Sequence, residues 1–569
     1  PRQGSPFRLR DIPIMLTTLS RTWYLPCLLG LLPLAWPGHF STAVGDSSKS
    51  HDAAFLAALH SITADELRNH VGFLASDELE GREAGMPGGQ TAGEYLAAAL
   101  AQYGLQPNGS NGFFQDFGQG YRNVVAVLPG SAPELANEVI VLGAHYDHVG
   151  YGGKRNVRDY AGLVHNGADD NASGTAAILE IAQAATLLQR PPRRTLLFIL
   201  FDAEEKGLLG SKHWTENPTR PLEQVKFMFN LDMVGRLRDQ RVEVYGWRSS
   251  AGLRRLICQT NQGMNFDLDF SWRNRFDSDH APFFRKSIPV LLLHTGLHDD
   301  YHRATDDFDK INYDGMEQIA RWVFEMAVAL ADGDTAPGFR DKVNEDSDGK
   351  LREILEAPAN WRDRIGIKVV SDQSTEAARQ DGALRVEKVF FQTPAEAAGI
   401  QLGDRIIAVN GRRVSNPDEF AAATLLAKES SVRLRLRRNF GQGPEVEIDV
   451  PLIGLPIRLG IQWYVDEAVP QSVMVSHILP GSPADSAGIA VGDYIYSVNG
   501  QAIEDPDQFD RYIREAASPL RLEVEHRGRI RTVEIPPSGS GQQVFWNHPM
   551  PLVKLAGHSI TSQEFVCLQ

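Results

Sequence analysis

A chain of 569 residues is too long for one ordinary domain and leads to an expectation of three or four. Its formal net charge of −15 argues against a nucleic-acid binder, which needs a clustered basic surface, and its 42% hydrophobic and 23% charged residues fit soluble globular material. The three cysteines, Cys27, Cys258 and Cys567, are too few and too scattered for a disulfide framework or a thiolate metal site.

Residues 1–43 read as a leader and signal peptide. The first 14 residues look like an upstream overrun, with Met15 as the start. Arg21 then precedes a short apolar run, 23–36, which ends at the small residues Ser41, Thr42 and Ala43. The run is short and broken by prolines, so export to the periplasm or beyond is expected rather than a retained anchor, and no stable membrane span.

Residues 44–333 alternate helical patterns with apolar runs that end in polar residues. "EVIVLGAHYDH" (138–148), "RTLLFILFDAEE" (194–205), "VKFMFNLDMVG" (225–235) and "IPVLLLHTG" (288–296) predict buried strands, and "GTAAILEIAQAATLL" (174–188) a helix. The fold class expected is α/β, with a mostly parallel sheet covered by helices on both faces. Ligands of such sheets sit beyond the carboxyl ends of the strands.

Residues 334–359 read as a polar linker, so a chain cut near 335 is expected to fold alone. Beyond it a motif repeats: "TPAEAAGIQLGDRIIAVNGRRV" (393–414) returns as "SPADSAGIAVGDYIYSVNGQAI" (482–503). Two small β-rich domains, 360–453 and 456–537, follow from this, with a tail at 538–569.

The polar residues at the strand ends carry the chemistry. His145 and Asp147 follow the first run, Asp169 and Asp170 open the helix after it, and Glu204 and Glu205 follow the next. Asp232 and His302 complete the set. Imidazole and carboxylate without thiol suit zinc, and a carboxylate pinned between glycines can bridge two ions. One of the adjacent pair Glu204 and Glu205 would then bind metal while the other serves as general base. Asp147, two residues along an extended chain, would orient His145.

"GAHYDHVG", "NGADDNASG", "FDAEEKGLLGS", "NLDMVG" and "DYHRATDD" resemble the successive metal motifs of the secreted two-zinc aminopeptidases, of the bacterial leucine aminopeptidase and aminopeptidase Y type. "LASDELEGREAGMPGG" (74–89) resembles that family's N-terminal segment. The resemblance implies a zinc exopeptidase fold and two Zn²⁺ per chain. His145, Asp170 and Asp232 would hold one ion, and Asp170, Glu205 and His302 the other. Glu204 would be the general base acting on a hydroxide shared by the metals, with Asp147 the partner of His145 and Asp169 structural. Some relatives carry a tyrosine shortly before an "SDH" segment; here "RNRFDSDH" (273–280) has Arg275, which leaves the oxyanion donor open.

The duplicated modules resemble PDZ domains of the protease-associated kind. By that likeness Ile365, Gly366 and Ile367, and in the second copy Leu459, Gly460 and Ile461, would receive a peptide C-terminus. The function expected is removal of N-terminal residues from peptides. The alternatives are a carboxypeptidase or dipeptidase on the same scaffold, a single-zinc glutaminyl cyclase, or a non-catalytic PDZ-bearing binding protein.

Overall fold

The structure is a computed structural model that describes residues 53–152, 162–361, 363–371, 382, 384–517, 519–536 and 566–567. The leader and nearly all of the tail lie outside the described residues. Among those described, no helix is long and apolar enough to cross a membrane.

The first domain is built on nine strands: β1 (Gln106–Pro107), β2 (Phe114–Phe117), β3 (Tyr121–Leu128), β4 (Val139–His145), β5 (Thr195–Phe201), β6 (Val225–Leu231), β7 (Arg241–Tyr245), β8 (Asp267–Phe270) and β9 (Val290–His294). Their order is β1-β3-β5-β4-β6-β9-β7-β8, with β2 paired to β3. The four central strands β5-β4-β6-β9 run parallel. At the flanks β3 pairs antiparallel to β5 and β7 antiparallel to β9. The sheet as a whole is therefore mixed: its centre has the parallel character expected from the apolar runs, and β7 and β8 pair parallel at one edge.

The unbroken apolarity of those runs has a direct cause. In β5, Leu196, Phe198 and Leu200 enter one core while Leu197, Ile199 and Phe201 enter the other. β4 divides the same way, Ile140 and Leu142 against Val139 and Val141. Both faces are covered, so neither parity can be polar. The larger core takes α1 (Ala53–Ser61), α2 (Ala64–Leu74), α3 (Pro87–Gln102), α4 (Gly174–Thr186), α6 (Leu253–Thr260) and α8 (Tyr313–Asp332). α5 (Leu209–Glu216) and α7 (His280–Arg285) cover the opposite face through Trp214 and Phe283, whose rings stack 5.3 Å apart.

The segment read as a linker is no loose tether. It carries a 3-10 turn, Asp341–Glu345, and a helix, α9 (Asp348–Glu356). Val343 is fully buried in the second core, and Arg340 donates its amide to Ser249 O. Buried Asp346 takes the guanidinium of Arg248 at 2.8 Å.

Two further sheets share one topology. The first has β10 (Ile367–Ser371), β11 (Leu384–Val389), β12 (Arg405–Val409), β13 (Arg412–Arg413), β14 (Ser431–Arg437) and β15 (Glu445–Pro451), in the order β10-β11-β12-β14-β15. The second has β16 (Ile461–Tyr464), β17 (Val473–Ile478), β18 (Tyr494–Val498), β19 (Gln501–Ala502), β20 (Leu520–His526) and β21 (Arg529–Ile535), in the order β21-β20-β18-β17-β16. A two-residue strand, β22 (Val566–Cys567), adds to β16. The second module merges with the first domain: Ala468, Val469, Met474, Tyr494 and Tyr496 belong to the large core. Glu525 grips Arg254 at 2.7 and 3.1 Å, and Asp466 grips Arg248 at 2.7 and 2.8 Å. A chain cut near 335, expected from the sequence to fold alone, would leave this shared core uncovered. The first module meets the second through a small cluster of Ala421, Leu425, Ile457 and Leu479.

Candidate metal centre

The carboxyl ends of the central strands meet at one place. β4 ends on His145, β5 leads into Asp202, and β6 is followed directly by Asp232. Residues 168–173 form a kinked turn, non-helical at Asp170 and Asn171 and entered through Gly167, whose φ of +56° suits a residue without a Cβ. Inside that turn Asn171 is bound at both ends. Its amide nitrogen donates to Leu231 O at 2.9 Å, and its oxygen accepts from Gly174 N at 3.0 Å. Asp306 holds the backbone from the other side, accepting from Asp169 N at 2.9 Å and Asp170 N at 3.1 Å.

Asp169 is committed to structure. It accepts from Gly235 N at 2.6 Å and Ser173 Oγ at 3.1 Å, and its second oxygen lies 3.0 Å from His298 Nε2. Asp170 is left facing the cleft with its two oxygens turned to different partners. Oδ1 lies 3.3 Å from His145 Nε2, whereas Oδ2 lies 3.0 Å from His302 Nε2. Asp232 joins the first side, 3.6 Å from His145 Nε2, and Glu205 the second, 3.3 Å from His302 Nε2. The five sequence-selected ligand residues thus form two clusters that share Asp170.

One further imidazole stands in the second cluster. His148 Nδ1 lies 3.0 Å from Glu205 Oε1 and 4.0 Å from Asp170 Oδ2, and the residue is only 1% exposed. His148, Asp170 and Glu205 have ligand atoms within 4.8 Å of one another, as do His145, Asp170 and Asp232. The sequence reading passed over His148 although "GAHYDHVG" contains it; its signal was a second histidine three positions after His145, beyond the strand's end.

Asp147 acts differently from the expectation. Its carboxylate accepts from Glu204 N at 2.9 Å and Glu205 N at 3.3 Å, fixing the turn that presents both glutamates. It stands 3.7 Å from His145 Nδ1, outside hydrogen-bond reach; the nearer oxygen is the Asp147 carbonyl at 3.2 Å. Its grip is on the glutamate turn, since the chain curls back after β4. Arg82, in the "LEGREAG" stretch, was also missed. Its buried guanidinium donates to Tyr146 O at 2.8 Å and Gly167 O at 2.9 Å, tying the His145 loop to the Asp170 turn. Burial lowers it to about 10, opposed by Asp147 and Asp170.

The charges fit a cation site. Burial works against charge on His302, yet Asp170 and Glu205 overcome it and hold the imidazole up at about 11. His145 is raised well above its usual range in the same way, with Glu204 the strongest opponent of burial. Desolvation pushes Glu204 well above the carboxylate range; His145 opposes this, while Glu205, Asp279 and Asp232 add to it. Burial works against charge on Asp170, Asp232 and Glu205, yet the neighbouring imidazoles hold all three below the usual carboxylate range, so this buried set of charged carboxylates and imidazoles has the donor chemistry that suits a zinc ion.

Beside the clusters opens a cleft of ≈ 580 Å³, lined among others by Glu204, Leu208, Phe276, Asp277 and Tyr301. Tyr301 stacks on His302 with ring centroids 3.9 Å apart. Arg275, flagged for its unusual position, points its Nε at Asp277 at 2.7 and 2.8 Å. Lys212 and Arg285 also line the cleft.

Residues 123–327 match the model of peptidase family M28, and 388–438 and 474–526 each match that of a PDZ domain. Leucine aminopeptidase 1 of Trichophyton rubrum is 33% identical over 261 residues, 42% of this chain and 65% of that protein. Leupeptin-inactivating enzyme 1 of Streptomyces exfoliatus is 29% identical over 189 residues, 33% of this chain and 38% of that protein. Aminopeptidase YwaD of Bacillus subtilis is 29% identical over 191 residues, 32% and 38% respectively. The chain thus spans between 38% and 65% of the length of these relatives. Among solved structures, the LapA aminopeptidase of Legionella pneumophila is 24% identical with a TM-score of 0.42, over 50% of this chain and 76% of that one.

Proposed function

We propose, for a chain that carries a peptidase family M28 domain followed by two PDZ domains, a zinc-dependent aminopeptidase that removes residues from peptide N-termini. The observation that carries this reading is the split of Asp170, one oxygen to each cluster. His145, Asp170 and Asp232 would hold one Zn²⁺, and Asp170, Glu205 and His302, with His148 beside them, the other. Zinc supplies Lewis acidity toward a carbonyl and makes water acidic enough to react near neutral pH. The chain's own part falls to Glu204. It stands at the cleft, held by Asp147 through its amide, and is not needed as a ligand. Glu204 takes the proton from the attacking water and returns it to the leaving amine. Asp277, the cleft carboxylate given neither to metal nor to proton transfer, suits a substrate's free ammonium.

Lys212 and Arg285 at the same cleft favour a second reading, a carboxypeptidase or dipeptidase that holds a terminal carboxylate. Aminoacyl-naphthylamides and N-acetylated dipeptides separate the two: an aminopeptidase cleaves the first and ignores the second.

For the mechanism, Glu204→Gln keeps shape and loses basicity. Metal content measured by elemental analysis should be unchanged while kcat falls about 10²–10⁴-fold. Loss of metal in this variant, with metal retained in Glu205→Gln, would mean the two roles are reversed.

A further inference from the structure

The two PDZ modules carry loops of the same build ahead of their edge strands. Gly366 and Gly460 have φ of +88° and +82°, and a Cβ on either would come within 2.3 Å of Thr393 or Ser482. The loop carbonyls are used identically. Gly366 O and Ile365 O accept from Phe390 N and Ala395 N, just as Gly460 O and Leu459 O accept from Leu479 N and Ala484 N. With the carbonyls engaged, each loop is left with a run of amide donors, the arrangement that receives an anion or a peptide's terminal carboxylate.

They differ in the residue that precedes the shared arginine. In the first module it is Asp363, and its carboxylate is already on those donors. Oδ1 accepts from Ile365 N at 2.8 Å, from Gly366 N, and from Ile367 N at 3.3 Å; Oδ2 accepts from Ile367 N at 3.1 Å. In the second module the position is Ile457, which is 2% exposed and packed with Ala421, Leu425 and Leu479. Among the described residues no side chain is found accepting from the amides of Leu459, Gly460 or Ile461. The edge that follows them already carries an extended segment of this chain: β22 runs antiparallel on β16, Gln462 opposite Cys567 and Trp463 opposite Val566.

We propose that Asp363 is a built-in anion that closes the carboxylate-receiving loop of the first PDZ module, so that peptides ending in a free carboxylate are received by the second module alone. On this reading Ile365, Gly366 and Ile367, expected from the sequence to serve a peptide terminus, are held by Asp363 instead. A carboxylate tethered two residues from its donors competes at a high effective concentration, of millimolar order or above, which a free peptide at micromolar concentration does not displace. The assignment rests on the PDZ character of both modules and not on the peptidase chemistry.

The test uses the full chain and two readouts. Hydrogen exchange read by mass spectrometry should find the amides of 365–367 exchanging about tenfold faster or more in Asp363→Ala than in the parent, the loss expected for bonds to a charged acceptor. Asp363→Asn, which keeps an acceptor oxygen, should stay near the parent. A fluorescein-labelled decapeptide with the sequence of residues 560–569, offered with a free or an amidated C-terminus, then reports binding by anisotropy. Asp363→Ala should take one more equivalent of the free-carboxylate peptide than the parent, and no more of the amide. Unchanged exchange in Asp363→Ala would overturn the cap. Released amides without an added binding equivalent would overturn the receiving role of the loop, and so would a parent chain that already fills both modules. If exchange rises throughout β11–β14, the module has loosened, and Asp363→Ser is judged by the same two criteria.

Discussion

Where Arg405 faces Arg437 across β12 and β14 of the first PDZ module, Tyr494 faces Glu525 across β18 and β20 of the second. The scaffold is the same and the outer surface is not. Arg437 pairs with Glu445, both side chains being more than a third exposed, and such pairs contribute at most about 1 kcal/mol. Glu525 is fully buried against Arg254, and Tyr494 and Tyr496 lie in the large core of the first domain. One duplicated unit has thus become two kinds of object, an appended module and a wall of the neighbouring domain. Three residues on one pair of strands, Tyr494, Tyr496 and Glu525, make that difference.

The largest effect expected from this comparison is on a chain ending at 335. It removes Val343 and Asp346 and strips the large core of Met474, Tyr494 and Tyr496, exposing an apolar face with unpaired Arg248 and Arg254. It should be recovered insoluble or aggregated, as judged by soluble yield and size-exclusion chromatography. A monodisperse, active 335-residue form would erase the distinction between the modules.

Arg254→Ala isolates the ion pair. Leaving Glu525 buried without its partner should cost about 3–5 kcal/mol in urea unfolding, against about 0–1 kcal/mol for Arg437→Ala. Equal costs would mean that Arg254 and Glu525 are as replaceable as a surface pair. The smallest effect belongs to Tyr494→Phe, which removes a hydroxyl donated to Asp466 at 2.6 Å while Arg248 still holds that carboxylate. About 1 kcal/mol should be lost, seen as a lower urea midpoint with an unchanged slope.

Much of the metal centre was legible because strand ends declare themselves. His145, Asp232 and the Glu204–Glu205 pair each follow a run that must be apolar on both faces, so a polar residue there stands out. The glycines marked the Asp169–Asp170 pair, and the family resemblance singled out Asp170. Arg82 and His148 were not, because what they do depends on how the chain folds back after the strand. The backbone carbonyls that Arg82 binds, at 146 and 167, leave no mark in a sequence. The repeat itself was plain, whereas the fate of its second copy was hidden in isolated substitutions such as Glu525 for Arg437, which read as ordinary surface variation until Arg254 is beside them. The segment from 334 to 359 misled for a related reason: one of its polar residues, Asp346, is the partner of the buried Arg248 in the domain before it.

The clasp of Arg254 by Glu525 also sets a timetable for synthesis. The two residues are 271 positions apart, so at 5–20 residues per second roughly 15–50 s pass between the appearance of the arginine and that of its partner. For that interval the nascent first domain carries Arg254 without its partner and leaves uncovered the seat formed by Trp247 and Phe270. The candidate metal ligands, all of which have emerged by His302, are therefore translated well before the wall that completes their domain. A ribosome stalled after residue 335 would display that candidate ligand set on an unfinished body, the stage at which the chain has most need of a chaperone.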